Sequence, residues 1–317
     1  TAPMMDWTDK HCRHFFRLLS PNAVIYTEMI PTDALIYGKT NWRLTHDIAN
    51  NPVSLQLGGN DPSALARSAE MAEKMGYSEI NLNCGCPSER VKRGAFGVIL
   101  MQNPRLVKKC LSEIIDAVSI PVTIKHRLGI DNHTSYEFVH EFVNVVRDSG
   151  CTTFIVHARN AILGKLSPRD NRRIPPLKYD YVYRLQKDFP DLVFILNGGL
   201  ESFDLISKEL QQNRGIMIGR AAYNNPYILS EIEHKWFGEP LKSRYTVASQ
   251  MQDYANIQVT NGVHISSITK CMLGLFKGQP NARQWRKILS DRSELNKLGP
   301  ATISYALSAI EQPDESS

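Results

Sequence analysis

The chain has 317 residues and a formal net charge of +5, with 42% hydrophobic and 22% charged side chains, enough for a substantial core in one large domain or one domain with a smaller appendage. No run approaches the roughly 18 apolar residues of a membrane helix, and the opening TAPMMDWTDKHC lacks the basic-then-apolar layout of a secretion signal, so a cytoplasmic protein is expected. Six cysteines, at 12, 84, 86, 110, 151 and 271, are scattered through a long chain, which argues against a disulfide framework and for reduced thiols.

In chain order, short apolar and β-branched runs recur: AVIYTEM from residue 23, VSLQLGG from 53, EINLNCG from 79, PVTIKHR from 121, TTFIVHAR from 152, LVFILNGG from 192 and GIMIGRA from 215. Between them lie segments of helical period, such as 61–77, 103–118 and 135–150. With the opening APMM as a first, shortened strand the count is eight βα units. That matches a (β/α)8 TIM barrel better than an open doubly wound sheet, and no GxGxxG follows the first strand. The barrel is expected over 1–237, a linker over 238–246, an all-α helical bundle over 247–311 and a polar tail over 312–317. The chain begins at the first strand, so barrel closure at the lower end is expected to be slightly altered.

Charge is uneven. Residues 241–310 carry nine basic side chains against three acidic ones, while the remainder is close to neutral. A basic patch at one end is either a solvated face or the footprint of a polyanionic partner.

In such barrels chemistry sits at the C-terminal ends of the strands. The expected ends read Met4 and Met5, Glu28, Gln56, Asn83, Lys125, His157, Asn197, and Gly219 with Arg220. Any one of these could be a cap or loop residue. Inward polar groups at nearly every strand end require partners, and a large polar ligand on the mouth supplies them. Asn197-Gly198-Gly199 and Gly219-Arg220 follow the last two strands, where barrels commonly bind phosphate. A phosphate tail with a planar polar head fits flavin mononucleotide (FMN). Gln56 and Asn83 would meet the ring edges, Lys125 would stabilise negative charge on the reduced ring, and His157 would face phosphate or ring. A phosphosugar isomerase or aldolase with a Schiff-base Lys125 is the alternative, but it leaves Gln56 and Asn83 without a role.

APMMDWTD, YTEM, LQLGG, NLNxGCPSxRV, TIKxRxG, HAR, NRxIPPL, NGG, GR and ARQWR occur here in order, from Ala2 to about residue 310. Together they resemble the flavin-dependent tRNA-dihydrouridine synthases, subfamily A in particular; NLNxGCPS is the most specific element. The resemblance implies reduction of the C5–C6 double bond of a D-loop uridine, at position 20 or 20a of tRNA, with FMN recharged by NADPH. It implies FMN contacts at Pro3, Met4, Gln56, Lys125, His157, Asn197, Gly198, Gly199, Gly219 and Arg220. The proton donor corresponds to Cys86, and the tRNA contacts to Asn83, Arg169, Asn171, Arg283 and Arg286. The residues suit this chemistry: a thiol of ordinary pKa, near ~8.5, is protonated at neutral pH and can protonate C5. A uridine that must leave its stack needs a separate surface to hold the RNA, and Arg283 and Arg286, three apart on a helix, share a face.

Two positions depart from the family pattern. Cys84 stands where an apolar residue is usual and is expected to be a buried small thiol. Ile99 replaces a cysteine that is not the proton donor. An iron–sulfur or zinc role for Cys84 and Cys86 lacks further ligands, so no metal is expected. A tRNA-binding protein without activity would not need Cys86, Lys125 and the phosphate loops, and a small-molecule flavin dehydrogenase of the dihydroorotate or dihydropyrimidine type would have no use for the basic helices. The expected partner is tRNA and the expected state a monomer.

Overall fold

The computed structural model describes residues 1–38 and 47–311; the tail expected over 312–317 lies outside them. The chain divides into two compact units, one of Thr1–Met5 with Val24–Gly219, the other of Asp6–Ala23 with Arg220 onward.

The first unit is built on a seven-stranded parallel sheet in sequential order: β1 (Ile25–Pro31), β2 (Val53–Gly58), β3 (Glu79–Cys84), β4 (Val122–Arg127), β5 (Thr153–His157), β6 (Val193–Asn197) and β7 (Gly215–Met217). Helices cross over between strands, as parallel pairing requires. Those starting at Pro62, Pro104, Tyr136 and Phe203 are each preceded by an Asp, Asn or Ser whose side chain accepts a first-turn N–H, so the sequence marks their starts.

Eight strands were expected and seven form among the described residues. APMM makes no ladder strand. Instead the Thr1 nitrogen donates to Val24 O at 2.6 Å and Ala2 N to Ile218 O at 2.7 Å, so two residues join the sheet's edges with one bond each. Two peptides are too short to be counted as a strand, yet they fill the eighth place of a TIM-barrel-like α/β fold. Met5, expected to end that strand, is exposed. Glu28 does not end a strand either: it lies within β1, where the register with β2 slips between Tyr26 and Met29.

The barrel interior has two halves. Ala2, Tyr26, Ile155 and Met217 form a buried apolar cluster with Ile195 against it. On β2, β3 and β4 the inward positions are instead Ser54, Gln56, Glu79, Asn81, Asn83, Thr123 and Lys125, hydrogen-bonded to one another or across to β6.

In the second unit, Lys10–Leu19 joins the helices Arg220–Asn224, Ile228–Phe237, Arg244–Thr260, Ile265–Thr269, Ala282–Ser290, Arg292–Leu298 and Thr302–Glu311. The division therefore falls at Gly219 rather than 237 and takes an N-terminal helix with it. Glu233 explains the grouping: its carboxylate accepts the Ser20 hydroxyl, the Asn22 N–H at 3.1 Å and the Ala23 N–H at 3.2 Å. Lys270 and Asp9 add an ion pair at 2.7 Å. Trp285 is fully buried, packs on Phe276 and donates Nε1–H to Met272 O at 3.0 Å. The expected linker is shorter than 238–246, because Ser243 caps a helix that starts at Arg244. Among the described residues no helix is long and apolar enough to cross a membrane, and no group of three or more His, Cys, Asp or Glu is placed to hold a metal.

Candidate active site

Parallel registry brings the expected residues of the first unit into successive layers at one end of the sheet. Asn83 pairs with Lys125, Arg127 with His157, and His157 with Asn197. All lie within two residues of the C-terminal ends of their strands, where a parallel barrel opens.

Cys86 follows β3 in a turn held by its backbone. Asn83 Oδ1 accepts both Gly85 N–H (3.1 Å) and Cys86 N–H (3.0 Å); Arg127 Nε donates to Gly85 O (2.9 Å); Val98 N–H donates to Cys86 O (3.1 Å). Gly97 makes the last contact possible. Its φ of +72° suits glycine, and a Cβ there would lie 2.7 Å from Cys86 O and 2.4 Å from Val91 Cγ1. With its N–H and C=O both engaged, Cys86 holds its thiol 3.5 Å from the Ser88 hydroxyl. It is only half-buried, whereas the other five cysteines are buried. Cys84 points the other way along the strand, and burial pushes its thiol pKa well up. The two cysteines are one accessible thiol beside one core residue, as the alternation implied.

Arg127 was not among the sequence-predicted site residues. It is buried, and besides Gly85 O it reaches Asn160 O and Asn171 O, each at 3.0 Å. One guanidinium thus ties the Cys86 turn to the loop after β5. The signal was present: Arg127 stands two after Lys125 on one strand and so shares its face.

The mouth is rich in cations. Lys125 Nζ donates to Asn197 Oδ1 (2.9 Å), and Asn197 Nδ2 donates to Met217 O (2.7 Å). Burial, followed by the nearby Arg127, lowers the Lys125 pKa from 10.5 to about 7. Burial, then Arg127, Lys125, Arg159 and Arg172, drives the His157 pKa well below 6.5. The charges acting on these two residues are therefore mostly positive, and an anionic ligand would relieve both. After β6, Gly198 (φ +110°) and Gly199 (φ +70°) turn the chain closely past His157: a Cβ on Gly198 would meet the imidazole at 2.6 Å. Tyr179 Oη donates to Gly198 O at 2.5 Å and fixes that turn. This donor set fits a phosphate-bearing ring that accepts negative charge. Lys125 and Arg127 supply the positive field, His157 offers a neutral imidazole, the Gly198–Gly199 turn leaves room for close backbone approach, and Gln56 retains one amide hydrogen and one lone pair.

Pro3 and Met4 are half-buried, and a Cβ on Gly219 would lie 3.7 Å from Met4 Sδ, so these three share a neighbourhood. Arg220 opens the first helix of the second unit after Gly219.

The expected tRNA contacts divide. Arg169 is exposed, and Arg283 and Arg286 are exposed on Ala282–Ser290, whose opposite face buries Trp285 and Leu289. Asn171 does not fit as a direct contact. It is fully buried; its Oδ1 accepts Ile162 N–H at 2.7 Å, and its Nδ2 donates to Ile162 O, Leu166 O and Ser167 O. It braces the loop that displays Arg169. A groove of about 250 Å³ runs between that loop, at Gly164–Pro168, and Pro87 and Glu89 beside Cys86.

The chain is similar to known proteins over most of its length. A protein of Escherichia coli (strain K12) named tRNA-dihydrouridine(20/20a) synthase is 48% identical over 312 residues, covering 98% of this chain and 90% of its own length. One of the same name from Vibrio vulnificus (strain CMCP6) is 45% identical over 314 residues, covering 98% and 96%. Among solved structures, a 2-naphthoyl-CoA reductase complex superposes with a TM-score of 0.56 at 10% identity over 73% of this chain and 49% of that one, a likeness of fold alone. Residues 1–310 match the family described as Dihydrouridine synthase (Dus), and the chain belongs to that family.

Proposed function

We propose that this protein is a tRNA-dihydrouridine synthase that reduces the C5–C6 double bond of a D-loop uridine, at position 20 or 20a, in the cytoplasm and as a monomer. The observation that carries the reading is the backbone-clamped, accessible Cys86 thiol beside a cation-rich barrel mouth. The names and coverage of the relatives support the substrate.

FMN, when bound and recharged by NADPH, would supply hydride-transfer chemistry for reduction at C6 of the uracil. Lys125, His157, Asn197, Gly198, Gly199 and Gly219 would hold it, with Pro3, Met4, Gln56 and Arg220. Cys86 holds the proton for C5: the S–H bond breaks, the new C–H bond forms, and the electron pair stays on sulfur as thiolate. Ser88, 3.5 Å away, accepts from the thiol before transfer and can turn its own hydrogen to the thiolate afterwards. The exposed Arg283 and Arg286, with Arg169, would grip RNA phosphates; Asn83 would lie between cofactor and base.

The test is to map dihydrouridine in unmodified tRNA after incubation with purified, FMN-loaded protein and NADPH. Cys86→Ala is expected to keep its flavin spectrum and its NADPH oxidation while losing dihydrouridine formation. Undiminished product in that variant would remove Cys86 as the acid; a wild-type protein that leaves tRNA unchanged would overturn the reading.

A further inference from the structure

The polar half of the barrel is one hydrogen-bonded column along β2, β3 and β4. It starts at Glu79, the first residue of β3, and ends at the Gly85–Cys86 backbone, past the other end of that strand. Glu79 and Asn83 are four residues apart, about 13 Å along a strand.

The direction of every bond follows from the bottom. Glu79 Oε1 receives the hydroxyls of Tyr26 (2.7 Å), Ser54 (2.8 Å) and Thr123 (2.8 Å). A carboxylate only accepts, so Thr123 spends its hydrogen there; its other acceptor, Ile80 O, is 3.5 Å away. Only lone pairs of Thr123 remain for Asn81, which must present Nδ2, at 2.8 Å. Asn81 Oδ1 then faces Gln56, which must present Nε2, at 2.7 Å. Gln56 Oε1 in turn faces Asn83, which must present Nδ2, at 2.7 Å. Asn83 Oδ1 is thereby left for the Gly85 and Cys86 N–H groups.

A side-chain amide turned over by 180° keeps its shape and exchanges donor for acceptor. Nothing steric prevents Asn81, Gln56 and Asn83 from turning together. If they did, Asn83 would point an NH2 at two backbone N–H donors, and the Cys86 turn would lose its anchor. Three buried amides in series are costly to leave mismatched, about 1–3 kcal/mol for each unsatisfied group.

We propose that Glu79 is a positioning residue for Cys86: its negative charge at the far end of β3 sets the polarity of Thr123, Asn81, Gln56 and Asn83, and through them fixes the backbone that carries the thiol. In its catalytic consequence the inference rests on the proposed function; in its structural content it does not. Tyr26, whose pKa is pushed well above 10 by burial and by Glu79, stays protonated and donates to the carboxylate, which keeps the bottom of the column satisfied.

The test uses the full, FMN-loaded chain with Glu79→Gln, Thr123→Val and Thr123→Ser. A glutamine can donate as well as accept and no longer dictates polarity; valine keeps the shape of threonine without the hydroxyl; serine keeps the hydroxyl. Two quantities are read: the rate at which iodoacetamide alkylates Cys86, followed by peptide mass spectrometry, and the two half-reactions, flavin reduction by NADPH and flavin reoxidation by tRNA. Glu79→Gln and Thr123→Val are expected to change the alkylation rate at least about threefold and to slow reoxidation by tRNA about tenfold or more, with reduction by NADPH within about twofold of wild type. Thr123→Ser is expected to restore both. Wild-type alkylation and reoxidation in Glu79→Gln or Thr123→Val would overturn the proposal, as would equal loss in Thr123→Ser and Thr123→Val, or parallel loss in both half-reactions. Should Glu79→Gln fail to fold, the Thr123 pair decides. Should wild-type protein leave tRNA unmodified, the functional reading fails while the alkylation rates still decide the positioning role.

Discussion

Lys125 links burial to ligand affinity. With its pKa lowered to about 7 by burial and Arg127, the ammonium charge becomes titratable near neutral pH in the ligand-free protein. An anion binds the protonated form, so binding takes up a proton. FMN affinity should therefore hold below about pH 7 and fall above it, by up to about tenfold per pH unit until the pKa of the bound form is passed. Lys125→Met should bind FMN more weakly and lack this decline; fluorescence titration of apoprotein between pH 6 and 9 reads both (about one point per half unit suffices). Gly97 supports Cys86 from behind. Gly97→Ala should cost about 1–3 kcal/mol in thermal denaturation from the positive φ alone, and its clash with Cys86 O should slow reoxidation by tRNA more than reduction by NADPH. The chemistry-bearing residues were legible because strand alternation with period two fixes facing: Gln56, Asn83, Lys125 and His157 all point inward, and Cys84 does not. Arg127 and Asn81 obey the same rule and went unread: Asn81 stands inside β3, and Arg127, though it ends β4, follows Lys125, which was taken as that strand's end. Their importance lies in which atoms they meet, and that depends on neighbours far away in sequence.

Among the elements, the loop after β5 shows how a polar residue in a motif can serve the loop itself. Asn171 closes four hydrogen bonds to residues 162–167. Removing them in Asn171→Ala should open the loop locally, with tryptic cleavage after the exposed Lys165 or Arg169 accelerated about tenfold or more for a loss of ~1.4 kcal/mol. The helix Ala282–Ser290 is the opposite case, with function on its solvent side. Arg283→Ala with Arg286→Ala should weaken tRNA binding and reduce the slope of log affinity against log salt by about 1.5, for two lost phosphate contacts, while leaving NADPH oxidation intact; filter binding across a salt series measures it. Helix starts were readable from Asp-Pro, Asn-Pro and Ser caps. The first strand was not, since APMM has strand-like composition and only two of its peptides find partners. The slip in β1 likewise arises from pairing with β2, which no single-strand pattern encodes.

For the molecule as a whole, the alternation of strand and helix announced the barrel, and the change to purely helical period announced the appended unit. The boundary was misplaced because it depends on packing: Lys10–Leu19 looks like the first crossover helix of a barrel, yet Glu233 and Lys270 hold its ends in the second unit. The divided interior of the barrel bears on the order of folding. Every member of the polar column, from Tyr26 to Thr123, lies on β1 to β4, so a chain synthesised through Arg127 already contains all the partners those groups require. The apolar half waits for Ile155, Ile195 and Met217, and the last edge closes only when Thr1 and Ala2 meet Val24 and Ile218. The polar column thus has all its partners in the part of the chain that emerges first during synthesis from the N-terminus, whereas Lys125 and the apolar half depend on strands made later.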